Sequence, residues 1–209
     1  MEAKRGDERG RERVKISTLP GITRIYEKIP LDRIGVLIGH EGRVKKELMK
    51  RTRTRISIDS DNGVAVIEPE SPDVPPINLL KARDFIRAIA YGFPPEKALR
   101  LLDEDQILIV IDLKQYVGPH PNHMARIKGR IIGEKGKARK NIEEMTGTYI
   151  SIHDTYVAII GDYESATAAR EAIEMLIQGR QHSTVYKYLD RIMTRIKKQK
   201  LQQLWQKPF

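Results

Sequence analysis

The chain has 209 residues, of which 40% are apolar and 32% charged, with a formal net charge of +10 and no cysteine. That length holds one large domain or two small ones; no uncharged run approaches the roughly 18 residues of a membrane helix, and Met1 to Lys15 has no apolar core of a secretory signal. Without thiols there are no disulfides, thiolate zinc sites or cysteine nucleophiles, and a cytoplasmic protein without a membrane partner is the expectation.

Residues 1–18 mix both signs densely and form an expected disordered tail. The first strand follows in TRIYEKIP (23–30), rich in β-branched and aromatic residues. A short helix leads to Gly39 and Gly42, and a second helix follows, with Val44, Leu48 and Met49 spaced as one apolar face. Alternation then sets Ile56 and Ile58 on one side of a strand, DNG (61–63) turns the chain, and VAVI (64–67) makes a third strand. PDVPP (72–76) lengthens the loop before an amphipathic helix containing ARDFIRAIAYG (82–92), and PPEKALRLL (94–102) is a short helical stub. DEDQ (103–106) reads as an acidic, solvated linker.

The same series then begins again. QILIVIDLKQYV (106–117) is the strand, Gly133 and Gly136 stand between two helices, Ile142 and Met145 share an apolar face, and Ile150 and Ile152 alternate before the HDT turn (153–155). IGHEGRVKKELMKRTRTRISI (38–58) aligns without a gap on IGEKGKARKNIEEMTGTYISI (132–152), VAVI on VAII (157–160), and ARDFIRAIAYG on AREAIEMLIQG (169–179). This is a tandem duplication. The expected division is a first unit over 19–102, a second over 103–181 and a basic C-terminal helix over 182–209. That helix carries Val185, Leu189, Ile192 and Ile196 at helical spacing, with Trp205, Leu201 and Leu204 expected to pack at its end.

Charge follows the repeat. Arg43 to Arg55 holds seven basic residues against Glu47, and Arg126 to Lys140 holds seven against Glu134, so each window nets +6 and the remainder −2. One such window reads as a solvated helix face; two at matching places point to a surface for a polyanion.

Ile38-Gly39-His40-Glu41-Gly42 and Ile132-Gly133-Glu134-Lys135-Gly136, each between two helices in a β-α-α-β-β-α series, resemble the KH domain of the eukaryotic type. The resemblance implies an α+β fold of two tandem KH units, each a three-stranded antiparallel sheet packed against helices. Glycine lets the backbone turn sharply and approach a sugar-phosphate chain, the following helix presents free N–H groups to phosphate, and its lysines add salt-dependent affinity. The expected RNA-binding set is Ile38, Gly39, His40, Glu41, Gly42, Arg43, Lys45, Lys46, Arg55 and Ile56, with Lys128, Arg130, Ile132, Gly133, Glu134, Lys135, Gly136, Lys137, Arg139, Lys140 and Ile150. Ile38, Ile56, Ile132 and Ile150 are expected to wall a groove for about four unpaired bases in each unit. Glu134-Lys135 in place of His40-Glu41 suggests that the second clamp dominates affinity, and two clamps together gain roughly 10² to 10⁴ in avidity if both are occupied.

The whole layout, including LIQGRQHSTVYKYL (176–189), resembles archaeal counterparts of the small-subunit assembly factor called partner of Nob, or dimethylase-interacting protein. That resemblance implies a non-enzymatic single-stranded RNA-binding protein at the 3′ end of small-subunit rRNA, working beside a PIN-domain endonuclease and the rRNA dimethyladenosine transferase. Eukaryotic members tend to have a first unit without the glycine pair, whereas this chain keeps Gly39 and Gly42. A KH adaptor of an RNA-degrading complex or a translational regulator is the alternative. No cofactor or metal is expected: no Walker or dinucleotide motif surrounds the glycines, His120 and His123 lack a third ligand, and Asp154 and Asp162 pair with nothing that would make an acid-base site.

Overall fold

The computed structural model describes residues 17–19, 22–118 and 120–205. The first unit runs β1 (Ser17–Leu19), β2 (Ile22–Lys28), α1 (Leu31–Ile38), α2 (Arg43–Thr52), β3 (Thr54–Asp59), β4 (Val64–Pro69) and α3 (Pro76–Ala90), followed by the stub α4 (Pro95–Ala98) and a 3-10 turn over Leu99–Leu102. The second runs β5 (Gln106–Asp112), α5 (Lys114–Val117), α6 (Pro121–Ile132), α7 (Lys137–Thr146), β6 (Tyr149–His153), β7 (Tyr156–Asp162), α8 (Tyr163–Ile177) and α9 (His182–Trp205). The sheets are antiparallel, in order β1-β2-β4-β3 and β5-β7-β6. Two of the expected tail residues, Ser17 and Thr18, lie in β1, which pairs with β2 through Ser17–Arg24 and Thr18–Thr23; the rest of that tail lies outside the described residues.

The duplication is visible in small details. Thr52 donates to the Leu48 carbonyl (2.7 Å) and shares a hydrogen bond with Thr54 (2.7 Å); Thr146 donates to Ile142 (2.6 Å) and shares one with Thr148 (2.8 Å). These buried pairs satisfy hydroxyls that would otherwise be orphaned where helix turns into strand. An arginine of the helix that leads into each glycine loop likewise holds the end of the helix that follows the sheet. Arg33 donates to the carbonyls of Ile89 (2.9 Å) and Phe93 (2.8 Å), and Arg130 to those of Leu176 (3.2 Å) and Arg180 (2.7 Å). Carbonyls at and just beyond a helix C-terminus lack helical partners, and a cation suits that end of the dipole.

Two expectations need correction. The strand of the second unit stops at Asp112, whose carboxylate accepts from the Lys114 N–H (2.9 Å) and starts the single turn α5, so Lys114 to Val117 are helical. The match of VAVI to VAII is also out of register by one residue. Ile56 pairs with Ile67, but its counterpart Ile150 pairs with Ile159, because four residues separate the last paired positions of β3–β4 and only two those of β6–β7. Val157 and Ile159 therefore occupy the places of Ala65 and Ile67. In a strand a slip of one exchanges the two faces.

The register decides the architecture. Ile109, Ile111, Ile150, Val157 and Ile159 face the second unit's own helices, whereas Leu108, Val110, Tyr149, Ala158 and Ile160 join the core of the first unit. There they meet the end of α3 and the stub, with Phe93, Ala98 and Leu101 buried. The second sheet is thus covered on both sides, which is why β7 is buried at five consecutive positions while β4 alternates. The outer face of the first sheet instead presents Arg24, Tyr26, Arg55, Ser57 and the ion pair of Arg24 with Glu68. At the C-terminus, Val185, Leu189, Met193 and Ile196 bury α9 against α7 and α8, and Lys200 pairs with Asp162 (3.3 Å) and Glu164 (3.7 Å).

Candidate nucleic-acid interface

Both glycine loops have the same backbone. Gly39 and Gly133 have φ of 69° and 71°, Gly42 and Gly136 of 75° and 78°, and Glu41 and Lys135 between them are left-handed at 53° and 50°. The Gly42 N–H donates to the Gly39 carbonyl (3.1 Å) and Gly136 to Gly133 (3.2 Å). A Cβ on Gly133 would stand 2.6 Å from the Ala138 Cβ and 2.7 Å from its backbone nitrogen, and one on Gly39 would stand 2.5 Å from Val44 Cγ2. The first glycine of each pair therefore lets the loop fold back on its helix. The second has open space: nothing lies within 4 Å of a Cβ at Gly136, and only Lys46 Cε, at 3.7 Å, near one at Gly42. Its freedom serves the positive φ and leaves the backbone uncovered.

Both glycine pairs are half-buried, with His40, Glu41, Glu134 and Lys135 exposed at the tips. Neither α2 nor α7 has a side-chain cap or an acid in its first turn, so no side chain offsets the positive end of the dipole; the first N–H of each is taken within the loop, Arg43 donating to the His40 carbonyl and Lys137 to that of Glu134, which leaves the N–H groups after it to face outward. In contrast, α8 is capped by Asp162, which accepts from the Ser165 N–H (3.1 Å) and hydroxyl (2.9 Å). Burial opposes ionisation of Asp162, yet the Ser165 and Lys200 hydrogen bonds hold its carboxyl below the usual range. It serves the helix.

The expected set divides on inspection. Lys46 reaches back to the Glu41 carbonyl (3.2 Å) and Arg43 lies 3.7 Å from Glu41, so both belong to the first loop. Lys137 and Lys140 are exposed along α7, and with half-buried Lys45 and Lys128 they have no ion pair among the described residues. Ile38 and Ile132 end the helices before the loops and are half-buried. Ile56 and Ile150, at 3% and 2% exposure, lie in the cores and cannot wall a groove; they occupy the strand face turned to the helices. Arg130 is taken up by the carbonyls of Leu176 in α8 and Arg180 beyond it, and Arg139 leans toward Glu143 (3.6 Å), whose other oxygen accepts from the Ile150 N–H (2.7 Å). Arg55 is exposed on the outer side of the edge strand β3. Sequence reasoning missed Arg33 and the docking of one unit on the other. For the docking a signal existed: QILIVID is apolar at consecutive positions, as a strand covered on both faces is.

Other groups set aside from the sequence have structural places. His120 starts α6 and its ring is 5.7 Å from that of His123; no group of three metal-ligating side chains occurs among the described residues. Trp205 is 83% exposed and Leu201 is exposed, so the expected packing at the end of α9 is absent for these two, beyond the last buried contact at Ile196. Lys187, Arg191, Arg195, Lys197 and Lys198 are exposed along the same helix. Among the described residues no helix is long and apolar enough to cross a membrane.

Residues 107–194 match a family model described as eukaryotic type KH-domain (KH-domain type I), and residues 23–73 match the KH domain. A KH domain-containing protein of Methanocaldococcus jannaschii is 43% identical over 180 residues, 86% of this chain and 78% of that protein. The aDim2p of Pyrococcus horikoshii, solved in a complex with a/eIF2alpha and rRNA, is 43% identical with a TM-score of 0.78, covering 83% of this chain and 96% of that one. The chain belongs to the PNO1/Dim2 family of KH-domain proteins. Eukaryotic PNO1 relatives include the RNA-binding protein pno1 of Drosophila pseudoobscura pseudoobscura (35% identical, 62% of this chain and 54% of that protein). The pre-rRNA-processing protein pno1 of Aspergillus oryzae is 34% identical over 57% of this chain and 46% of that protein. The chain spans about half the length of these two PNO1 proteins. The two KH folds are three-stranded antiparallel sheets with helices, and β1 adds a fourth strand to the first.

Proposed function

We propose that this chain is an RNA-binding, non-enzymatic factor of small ribosomal subunit assembly in the cytoplasm, holding an unpaired segment near the 3′ end of the small-subunit rRNA. The units over 19–102 and 103–181 act as two clamps, and the helix from 182 adds basic surface. The carrying observation is the pair of loops with matching backbone angles, each with two positive-φ glycines leading into a helix without a side-chain cap and rimmed by lysines. Phosphates meet the loop backbone and the helix N–H groups, while Lys45, Lys46, Lys137 and Lys140 supply long-range attraction. The rRNA complex of the P. horikoshii relative and the pre-rRNA-processing names of eukaryotic relatives support this reading. A PIN-domain endonuclease and the dimethyladenosine transferase are proposed partners at that RNA end.

The test uses the exposed middle pairs, because a side chain on Gly39 or Gly133 disturbs the fold as well as the loop. His40→Asp/Glu41→Asp and Glu134→Asp/Lys135→Asp make both loop tips Asp-Asp, adding a carboxylate at position 40 in one and exchanging the Lys135 cation for one in the other, and aspartate tolerates the positive φ of positions 41 and 135. Against an unpaired oligoribonucleotide copying the rRNA 3′ end, the second pair should weaken binding more than tenfold and the first pair less. Unchanged affinity in both variants refutes the RNA-clamp reading. A second reading, a factor that also links RNA to the translation machinery, is favoured by a/eIF2alpha in the relative's complex. Pull-down of the source organism's a/eIF2alpha by the full chain, with and without RNA, tests it.

A further inference from the structure

The edge strands of the two units differ at one position in a way that points to two further RNA-contacting residues. Arg55 pairs with Glu68 across β3–β4, and the ladder puts Tyr149, paired with Ile160, at the same place on β6. The first unit thus carries an exposed cation on its edge strand where the second carries a tyrosine.

The missing charge is brought from the other unit. Lys97 Nζ lies 4.9 Å from the Tyr149 ring centre and the Arg100 guanidinium carbon 5.3 Å from it. Arg100 also donates to the carbonyl of Gly147 (3.0 Å), in the turn between the glycine-loop helix α7 and β6. The contact continues along the strand. A Cβ on Gly92 would stand 2.8 Å from Ser151 Oγ and 2.7 Å from His153 Cβ, and Tyr91 packs its ring 5.0 Å from that of Tyr156. Residues 91–100 of the first unit therefore back the whole length of the second unit's edge strand.

The partner of these cations matters. Among the described residues neither Lys97 nor Arg100 has a carboxylate partner, and both are held by a ring face and, for Arg100, a carbonyl. An aromatic face fixes a cation by its quadrupole without cancelling its charge, so the charge remains available to an anion. We propose that Lys97 and Arg100 of the first unit are phosphate-contacting residues of the second unit's clamp, supplying there the charge that Arg55 supplies in the first. The second clamp is then composite: its loop and α7 come from one unit and the cations beyond its edge strand from the other. This rests on the reading of the second unit as an RNA clamp.

The experiment is a mutant cycle in the full chain, titrated with the rRNA 3′-end oligoribonucleotide and with oligo-uridine of equal length over a range of salt. Lys97→Gln/Arg100→Gln should weaken binding three- to thirtyfold in about 0.1 M salt and lower the slope of log affinity against log salt by roughly 0.7 for each phosphate no longer neutralised. The loss should persist in the His40→Asp/Glu41→Asp background and vanish in the Glu134→Asp/Lys135→Asp background. Lys97→Gln alone leaves the Arg100–Gly147 bond in place and should still lower the slope, while Lys97→Arg should restore it; a role confined to propping the joint would move the melting temperature and leave the slope alone. Loss of the effect in the first-loop background, or an undiminished effect with the second loop disabled, overturns the proposal. If Glu134→Asp/Lys135→Asp abolishes binding but the Lys97 and Arg100 variants bind normally, the composite clamp fails and the RNA function stands; if neither loop variant matters, the function itself has failed.

Discussion

The two units carry the same loop on the same six-element frame, yet they are buried differently. The second sheet has a face for its own helices and a face for the first unit, so Leu108, Val110, Ala158 and Ile160 lie where the first sheet has Arg24, Tyr26, Val66 and Glu68. The loop-bearing part of a KH unit was held constant by duplication, while the back of the sheet was rewritten according to what covers it. Similar loops thus sit on supports of unequal polarity, and the second loop rests on the more enclosed one.

The contrast is tested most sharply at its centre. Ile160→Ala, in the covered face, should cost about 2–5 kcal/mol in chemical denaturation, as other large-to-small core changes do. Glu68→Ala at the matching place should cost far less, since it removes only a largely solvated ion pair. Equal costs would mean that the outer face of the second sheet is not buried in solution.

A milder probe uses the glycines that follow α3 and α8, both at φ 92°. Gly92 abuts Ser151 and His153, whereas a Cβ on Gly179 would meet nothing within 4 Å. Gly92→Ala should therefore destabilise by about 1–3 kcal/mol more than Gly179→Ala, the usual cost of overpacking. Urea unfolding of the two variants side by side gives the difference directly.

Glu27 tests the units by pH. It occupies the core-facing place that Ile111 takes in the second unit, beside a cleft of about 460 Å³ lined by Tyr91, His153 and Tyr156. Burial pushes its carboxyl up, and Arg87 at 3.7 Å opposes this only in part. A raised native value means that the folded chain binds this proton more tightly, so the contribution is fully present below the ordinary carboxylate range and is lost as pH rises through the raised value. Glu27→Gln should flatten that stretch of the stability curve, read as urea midpoints at successive pH values. A curve unchanged in slope would show the carboxylate to be solvated.

The smallest effect concerns the end of the glycine-loop helix. Arg53 is left-handed at φ 53° where the second unit has Gly147 at 68°. Arg53→Gly should relieve that strain while losing only an exposed pair with Asp73, for a small net rise in melting temperature. A net loss in thermal melting would show the ion pair to be the stronger term.

Most of the frame was readable because it depends on local periodicity and on a repeat that keeps step from Ile38 to Ile58. Glycine loops are legible for the same reason: positive φ and close approach demand one residue type. What failed depended on pairing across strands. Val64 and Val157 look equivalent by identity, but turns of unequal length displace them, and only the ladder shows it. Ile56 and Ile150 were placed on a groove wall because alternation tells which residues share a face and not which face is wet. Arg33, Lys97 and Arg100 act across distances of 47 to 60 residues, for which composition carries no signal.

The joint between the units also limits how large such an object can grow. It seats the tail of one module on the back of the next, a head-to-tail geometry that nothing in symmetry closes, and repeated once more it would begin a fibre. The hydrophilic back of the leading sheet offers no seat to a neighbour's tail, and the trailing module sends its chain into a long helix instead of a stub. Among the described residues the head-to-tail seat is therefore used once, between the two units, and is not presented again on the outer sheet.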